Sequence, residues 1–336
     1  MSTTATPLRP VEAAAALGLS EAEWLATHAP GPVRALRAPL GAVIQALPTL
    51  GPVMALTRNA HCVHEKDGTY GGIELGPVMG RVLGTDIDLR VFLDHWAFGF
   101  AVETPLDDGG TRRSLQFFDR WGTAVHKVFA RPATDQVAWD ALVARFAEPP
   151  PAARPQMSST PPPPERAEAE TDASLLRSEW DAVWDVHHFL QSWRRAGAGR
   201  LEALRLAGAP HARPVAPSAV RRLLEEAARR AIPLMIVVGN RGAIQIHTGP
   251  IRRIVPTGPW LNVLDPGFNL HLRADRVAHA FLVGNPPSDG PVHAVELFDA
   301  AGALVAQIMG ASEPGRPERA DWQAFVTDLA RREALA

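Results

Sequence analysis

The residues of this chain best suited to chemistry lie in SLLRSEWDAVWDVHHFLQSWRRAG, residues 174–197, where Trp180, Val183, Trp184, His187 and Leu190 recur at helical spacing along one stripe. A neutral imidazole projecting from a wide apolar and aromatic face suits the iron of a porphyrin, because the macrocycle needs an apolar wall and the metal an axial nitrogen. His187 holds that position. His188 points about 100° away around the helix and is a second or alternative ligand. Periodicity by itself leaves a plainer reading open, in which His187 is a packing or surface histidine of an amphipathic helix.

Cys62 and His64 stand two apart in a strand-like run and so share a face, a spacing that raises zinc. No further cysteine and no third convergent ligand accompany them. They are read, with His61, as serving the fold or the solvent.

The elements that position these residues fall on either side of a connector. Residues 149–172 are rich in proline and lack a hydrophobic period, the composition of a semi-rigid linker. They divide the chain into an N-terminal part, 1–148, and a C-terminal part, 173–336. The two parts are related: VMALTRN (Val53 to Asn59) matches LMIVVGN (Leu234 to Asn240) at an offset of 234 − 53 = 181. The same offset pairs Leu89 with Leu270, Asp94 with Asp275, Phe100 with Phe281 and Val102 with Val283. Phe118, Asp119 and Gly122 match Phe298, Asp299 and Gly302 at 298 − 118 = 180.

Within each copy short runs of Val, Ile and Phe alternate with Gly, Pro and Asp, as strands do. Examples are Cys62 to Glu65, Leu89 to Leu93, Phe98 to Glu103, Leu234 to Val238, Ala243 to His247 and Ala294 to Phe298. Helical periods occur at Pro10 to His28, Val137 to Phe146, Leu175 to Ala196, Ser218 to Ala231 and Asp321 to Glu333. The fold class is therefore α+β with an internal duplication, each half a large, mainly antiparallel sheet flanked by helices.

Composition narrows the function. With 336 residues, 46% apolar and 21% charged, the chain suits two globular domains. A net charge of -2 argues against a nucleic-acid partner. One cysteine fits a reducing compartment; neither a leader-like N-terminus nor an apolar run of membrane-spanning length is visible, so a cytoplasmic protein that is not membrane-embedded is expected.

Five blocks then resemble a known family: TRNAHCVHEKDGTY (Thr57 to Tyr70), DLRVFLDHW (Asp88 to Trp96), DVHHF (Asp185 to Phe189), RLEALRLA (Arg200 to Ala207) and GNRGAIQIHTGPI (Gly239 to Ile251). Their order and the duplication are similar to those of the HemS/HmuS/ChuS-type haem-trafficking and haem-degrading proteins of bacteria, over essentially the whole chain. The resemblance implies two homologous halves with haem held between them, His187 as proximal ligand and Arg90 reaching the distal side. A guanidinium there can hydrogen-bond an iron-bound ligand or a propionate. The alternative for Arg90 is an ion pair with Asp88 on the same strand face. The resemblance also implies that Arg200 and Gln307 line the pocket, although Arg200 has the alternative of a solvated helix residue. Where the family usually has an aromatic this chain has Met309, and Ser312 stands near a position usually basic. In the second copy His271 aligns with Arg90, while the counterpart of His187 falls near Leu8, so the duplication does not repeat the site.

Three functions follow from the resemblance. The first is a carrier that takes haem from an inner-membrane importer and passes it to an acceptor such as a haem oxygenase. The second is a haem-degrading enzyme fed electrons by a reductase, with Arg90 orienting bound oxygen. The third is a storage or haem-responsive protein. We favour carriage, because no acid–base pair or reductase-docking motif is visible.

Overall fold

The computed structural model describes residues 10–37, 39–84, 86–149, 156–160, 199–285, 292–311 and 316–333. Its strands belong to two nine-stranded sheets, in which neighbours such as Phe98–Pro105 and Thr111–Phe118 or His279–Asn285 and Val292–Phe298 pair antiparallel. The chain forms two compact units, built mainly before and after the linker, with a short exchange: residues 240–245 cluster with the first unit and residues 59–64 with the second.

The N-terminal part contains β1 (Val33–Leu36), β2 (Val53–Arg58), β3 (Cys62–Gly68), whose residues 62–64 cluster with the second unit, β4 (Ile73–Leu75), β5 (Gly80–Leu83), β6 (Asp88–Val91), β7 (Phe98–Pro105), β8 (Thr111–Phe118) and β9 (Ala124–Ala130). One run is ordered β1-β7-β8-β9-β2 and another β4-β5-β6. On one face α3 (Leu40–Ala46) and α4 (Gln136–Phe146) bury Leu40, Val43, Ile44, Trp139, Leu142 and Phe146. Asp135 caps α4 by accepting from the Ala138 amide at 2.9 Å, which satisfies one of the donors a helix start leaves open. On the other face α2 (Glu21–His28) lays Ala22 and Leu25 against Phe100, Val102 and Phe118. The expected single helix from Pro10 to His28 is two: α1 (Pro10–Ala16) stops short, and Ser20 starts α2 with a reciprocal cap, donating its amide to Glu23 while its hydroxyl accepts from the Glu23 amide. Residues 156–160 pack on this unit, where the Ser158 amide donates to Arg120 O at 2.8 Å.

The second unit repeats the plan. Its strands are β10 (Ala212–Val215), β11 (Leu234–Gly239), β12 (Ala243–Gly249), β13 (Ile254–Thr257), β14 (Trp260–Asp265), β15 (Phe268–Arg273), β16 (His279–Asn285), β17 (Val292–Phe298) and β18 (Leu304–Gly310). The runs are β10-β16-β17-β18-β11 and β13-β14-β15. A helix on each side again sandwiches the larger run. α6 (Ala219–Arg230) and α7 (Ala320–Arg332) bury Val220, Leu223, Leu224, Trp322, Phe325 and Val326, and α5 (Arg200–Ala207) covers Phe281, Val283 and Phe298 with Leu201 and Leu204. α3 and α5 have no counterpart among the helices read from periodicity. At seven and eight residues each is too short to show a convincing helical period.

The repeated Phe-Asp and glycine of the sequence are one turn used twice. Asp119 Oδ1 accepts from the Trp121 and Thr123 amides, and Asp299 Oδ1 accepts from the Ala301 and Ala303 amides, all at 2.9 Å. Gly122 and Gly302 sit at φ +78° and +84°, the left-handed region that a Cβ disfavours. Both turns follow a register shift, at Phe117/Phe118 and at Leu297/Phe298, which marks a bulge.

The first unit also encloses a polar relay that has no sequence counterpart in the second. Tyr70, the chain's one tyrosine, lies 2.6 Å from His126 Nε2, and His126 Nδ1 lies 2.9 Å from Thr57 Oγ1. Burial pushes the phenol pKa of Tyr70 up, so its O–H is the donor, and pushes His126 down to about 3. The imidazole is therefore neutral and donates from Nδ1 to Thr57. An unfolded histidine titrates near 6.5, so this group stabilises the fold fully above that pH and progressively less as pH falls from 6.5 toward 3. By pH 5 its contribution is about 2 kcal/mol smaller. Urea midpoints at pH 7.5, 6 and 5 are expected to fall more steeply for the natural chain than for His126→Gln; equal slopes would remove the relay from the account.

Candidate functional site

Arg200 and Gln307, two positions assigned separately to a pocket, meet on one carboxylate that sequence reasoning missed. Arg200 opens α5 and donates through Nε to Glu296 Oε2 at 2.6 Å and through Nη2 to Glu296 Oε1. Gln307 on β18 donates through Nε2 to Glu296 Oε1 at 2.9 Å. Strand register makes this possible, since Glu296 of β17 stands directly opposite Gln307. Glu296 has no exposed surface, whereas the Arg200 side chain keeps 13% of its own, so Arg200 is a half-sheltered cation over a buried acid and not a solvated helix residue. The sequence marks Glu296 as a buried carboxylate, though not its partners: it is the charged member of the face shared by Ala294 and Phe298.

The same three positions in the first unit are Glu21, Gln116 and Lys127, with the charges rearranged. Here the helix residue is the acid. Glu21 Oε1 accepts from Lys127 Nζ at 2.5 Å, and Glu21 Oε2 from the Arg58 guanidinium. Burial alone would raise the Glu21 carboxyl, but the two cations beside it carry it below the usual range. Gln116 turns to the Ser114 hydroxyl at 3.0 Å. The second unit thus sets one cation against a buried acid at this place, and the first sets two cations around one.

Arg90 is on β6, and in this structure its guanidinium is paired with Asp88 on the same strand and with Leu89 O at 3.1 Å. It stands opposite Arg81 of β5, as its repeat counterpart His271 stands opposite Asn262, to which it is hydrogen-bonded at 2.8 Å. The ion pair with Asp88, the alternative open for Arg90 in the sequence, is thus present. His187 and His188, with the helix read over Leu175 to Ala196, lie outside the described residues.

Cys62 and His64 are both fully buried on β3. The thiol of Cys62 is pushed up by burial, which makes it a poor thiolate ligand, and His64 lies 5.0 Å from the Phe268 ring. Among the described residues no three His, Cys, Asp or Glu side chains are grouped to hold a metal ion.

Comparison with known proteins fits this duplicated geometry. The profile of the haemin-degrading HemS.ChuX domain matches twice, at residues 18–146 and 197–329. The chain belongs to the haemin-degrading HemS.ChuX domain family. Within that family the hemin transport protein HmuS of Yersinia pestis is 37% identical over 322 residues, covering 95% of this chain and 92% of HmuS. Holo-PhuS, a heme-binding protein from Pseudomonas aeruginosa, superposes with a TM-score of 0.91 at 42% identity, over 98% of this chain and 94% of PhuS. ChuS, an E. coli heme oxygenase, gives 0.86 at 32% identity over 95% of both chains. The duplicated α+β fold expected from the sequence is the fold of these HemS-type proteins. No helix of the described residues is long and apolar enough to cross a membrane.

Proposed function

We propose that this HemS-family chain binds haem as cargo in the cytoplasm, takes it from an inner-membrane importer and hands it to an acceptor such as a haem oxygenase. The observation that carries the reading is the match to holo-PhuS over nearly the whole chain, at 42% identity. His187 supplies the axial nitrogen and His188 takes over the iron during release. In the second unit Arg200 supplies guanidinium donors for a propionate, a pairing in which planar N–H groups match a carboxylate. Gln307 adds an amide beside it. Arg90, released from Asp88, serves the opposite face of the porphyrin.

A haemin titration of the purified chain tests this directly: a Soret band saturating at one haemin per chain is expected, and an optical spectrum identical to free haemin at every ratio would end the proposal. The match to ChuS supports a second reading, in which bound haem is opened by oxygen and a reductant. Ascorbate or a reductase added to the complex in air distinguishes the two. Carriage predicts that the Soret band persists and moves to an acceptor protein on mixing. Bleaching with a biliverdin-like product would establish the enzyme instead.

A further inference from the structure

We propose that Glu296 is a positioning residue that competes with the substrate's carboxylates for Arg200, and that this competition sets how fast the cargo leaves. The inference rests on the reading of Arg200 and Gln307 as haem contacts given above.

The geometry has three parts. First, the carboxylate occupies two of the five guanidinium donors of Arg200, through Nε and Nη2. Second, the same carboxylate receives the Gln307 amide at 2.9 Å, which fixes the amide with its nitrogen toward Glu296 and leaves its carbonyl oxygen turned the other way. Both pocket side chains are therefore set by one group. Third, Glu296 is wholly buried while Arg200 retains some surface, so of the pair only the guanidinium is within reach of an anion from outside. A porphyrin propionate at Arg200 meets a cation already neutralised from behind.

Neutralisation has a cost for affinity and a benefit for transfer. A guanidinium without a counter-ion would hold a propionate more tightly and release it slowly. With Glu296 beneath it, Arg200 has a resting partner to return to when the cargo departs, and departure leaves no buried charge unpaired. The first unit supplies the contrast. There the acid is on the helix and is shared by two cations, Lys127 and Arg58, so no single guanidinium is paired with one buried carboxylate as Arg200 is with Glu296.

The test is haemin release by the full chain to an excess of a high-affinity apo-globin, followed by stopped-flow absorbance, with Soret titrations and thermal melts in parallel. Glu296→Gln keeps the size and an acceptor oxygen but removes the charge. It is expected to slow release by about tenfold and to tighten binding correspondingly, with an unchanged Soret maximum because the axial ligand is untouched. With haemin dimethyl ester, which has no carboxylates, the two chains should release at the same rate. Glu296→Asp, whose shorter carboxylate cannot keep both contacts to Arg200, should fall between them and provides the reading if the Gln variant does not fold. Faster release, weaker binding or unaltered rates in a folded variant would overturn the proposal, because a residue that only supports the fold would loosen the site when replaced. A natural chain that does not bind haemin at all would instead sink the functional reading on which this one stands.

Discussion

The double variant His187→Ala/His188→Ala is expected to bind haemin on the order of a hundredfold more weakly than the natural chain, because removal of every axial nitrogen near DVHHF leaves the iron held only through its porphyrin. The single variants should differ from each other. His187→Ala is expected to keep much of the affinity but shift the ferric spectrum, since His188, the next residue, offers a second imidazole as a replacement ligand. His188→Ala should leave the equilibrium spectrum nearly unchanged and slow the transfer to an acceptor, because the intermediate ligand is gone. Soret titrations and the ferric absorption spectrum measure both effects. If the double variant keeps the natural affinity and spectrum, neither histidine is a ligand, and the iron must be held from elsewhere in the chain.

Much of the fold was legible because the duplication doubles each signal. A strand such as LMIVVGN is ambiguous on its own, but its likeness to VMALTRN 181 residues away shows that the pattern is a structural requirement, and both segments are strands followed directly by an asparagine. The Phe-Asp and glycine matches were legible for the same reason, since the bulged turn demands an acceptor side chain and a positive φ at fixed places. The short helices α3 and α5 were not legible, because two turns give too few points to define a period. The site was legible only in part. Arg200 and Gln307 could be found by resemblance, but the group that joins them could not be identified from spacing. Glu296 meets Arg200 across 96 positions of chain and meets Gln307 only through strand register. The rearranged charges of Glu21, Gln116 and Lys127 were hidden because a repeat is recognised by what it conserves, and these positions are where the copies differ.

The two asparagines that follow the matched strands mark the second large effect. Asn59 Nδ2 donates to Gly239 O at 3.2 Å and Val305 O at 2.8 Å, while its Oδ1 accepts from the His61 and Cys62 amides. Asn240 makes the equivalent set, donating to Arg58 O and Val125 O at 2.8 Å and accepting from the Gly242 and Ala243 amides. Each therefore fastens one exchanged segment, and the segments are secured further by matching backbone bonds, Arg273 N to His61 O at 2.8 Å and Phe92 N to Gly242 O at 2.9 Å. Trp96 adds its indole N–H to Gly242 O at 2.7 Å, and a Cβ at Gly242 would come within 3.0 Å of the Trp96 ring nitrogen. Asn→Ala at either position removes four hydrogen bonds, each contributing about 1 kcal/mol net, and exposes partly buried carbonyls and amides that lose their partners. A loss of about 3–4 kcal/mol in the urea unfolding free energy is expected for each variant. Asn→Asp separates the two halves of the role: the acceptor bonds survive, but a carboxylate oxygen now faces two carbonyl oxygens, so the aspartate variants should be no more stable than the alanine ones. An aspartate variant as stable as the natural chain would mean that the donated bonds contribute nothing, and that the exchanged segments are held by the backbone and Trp96 alone.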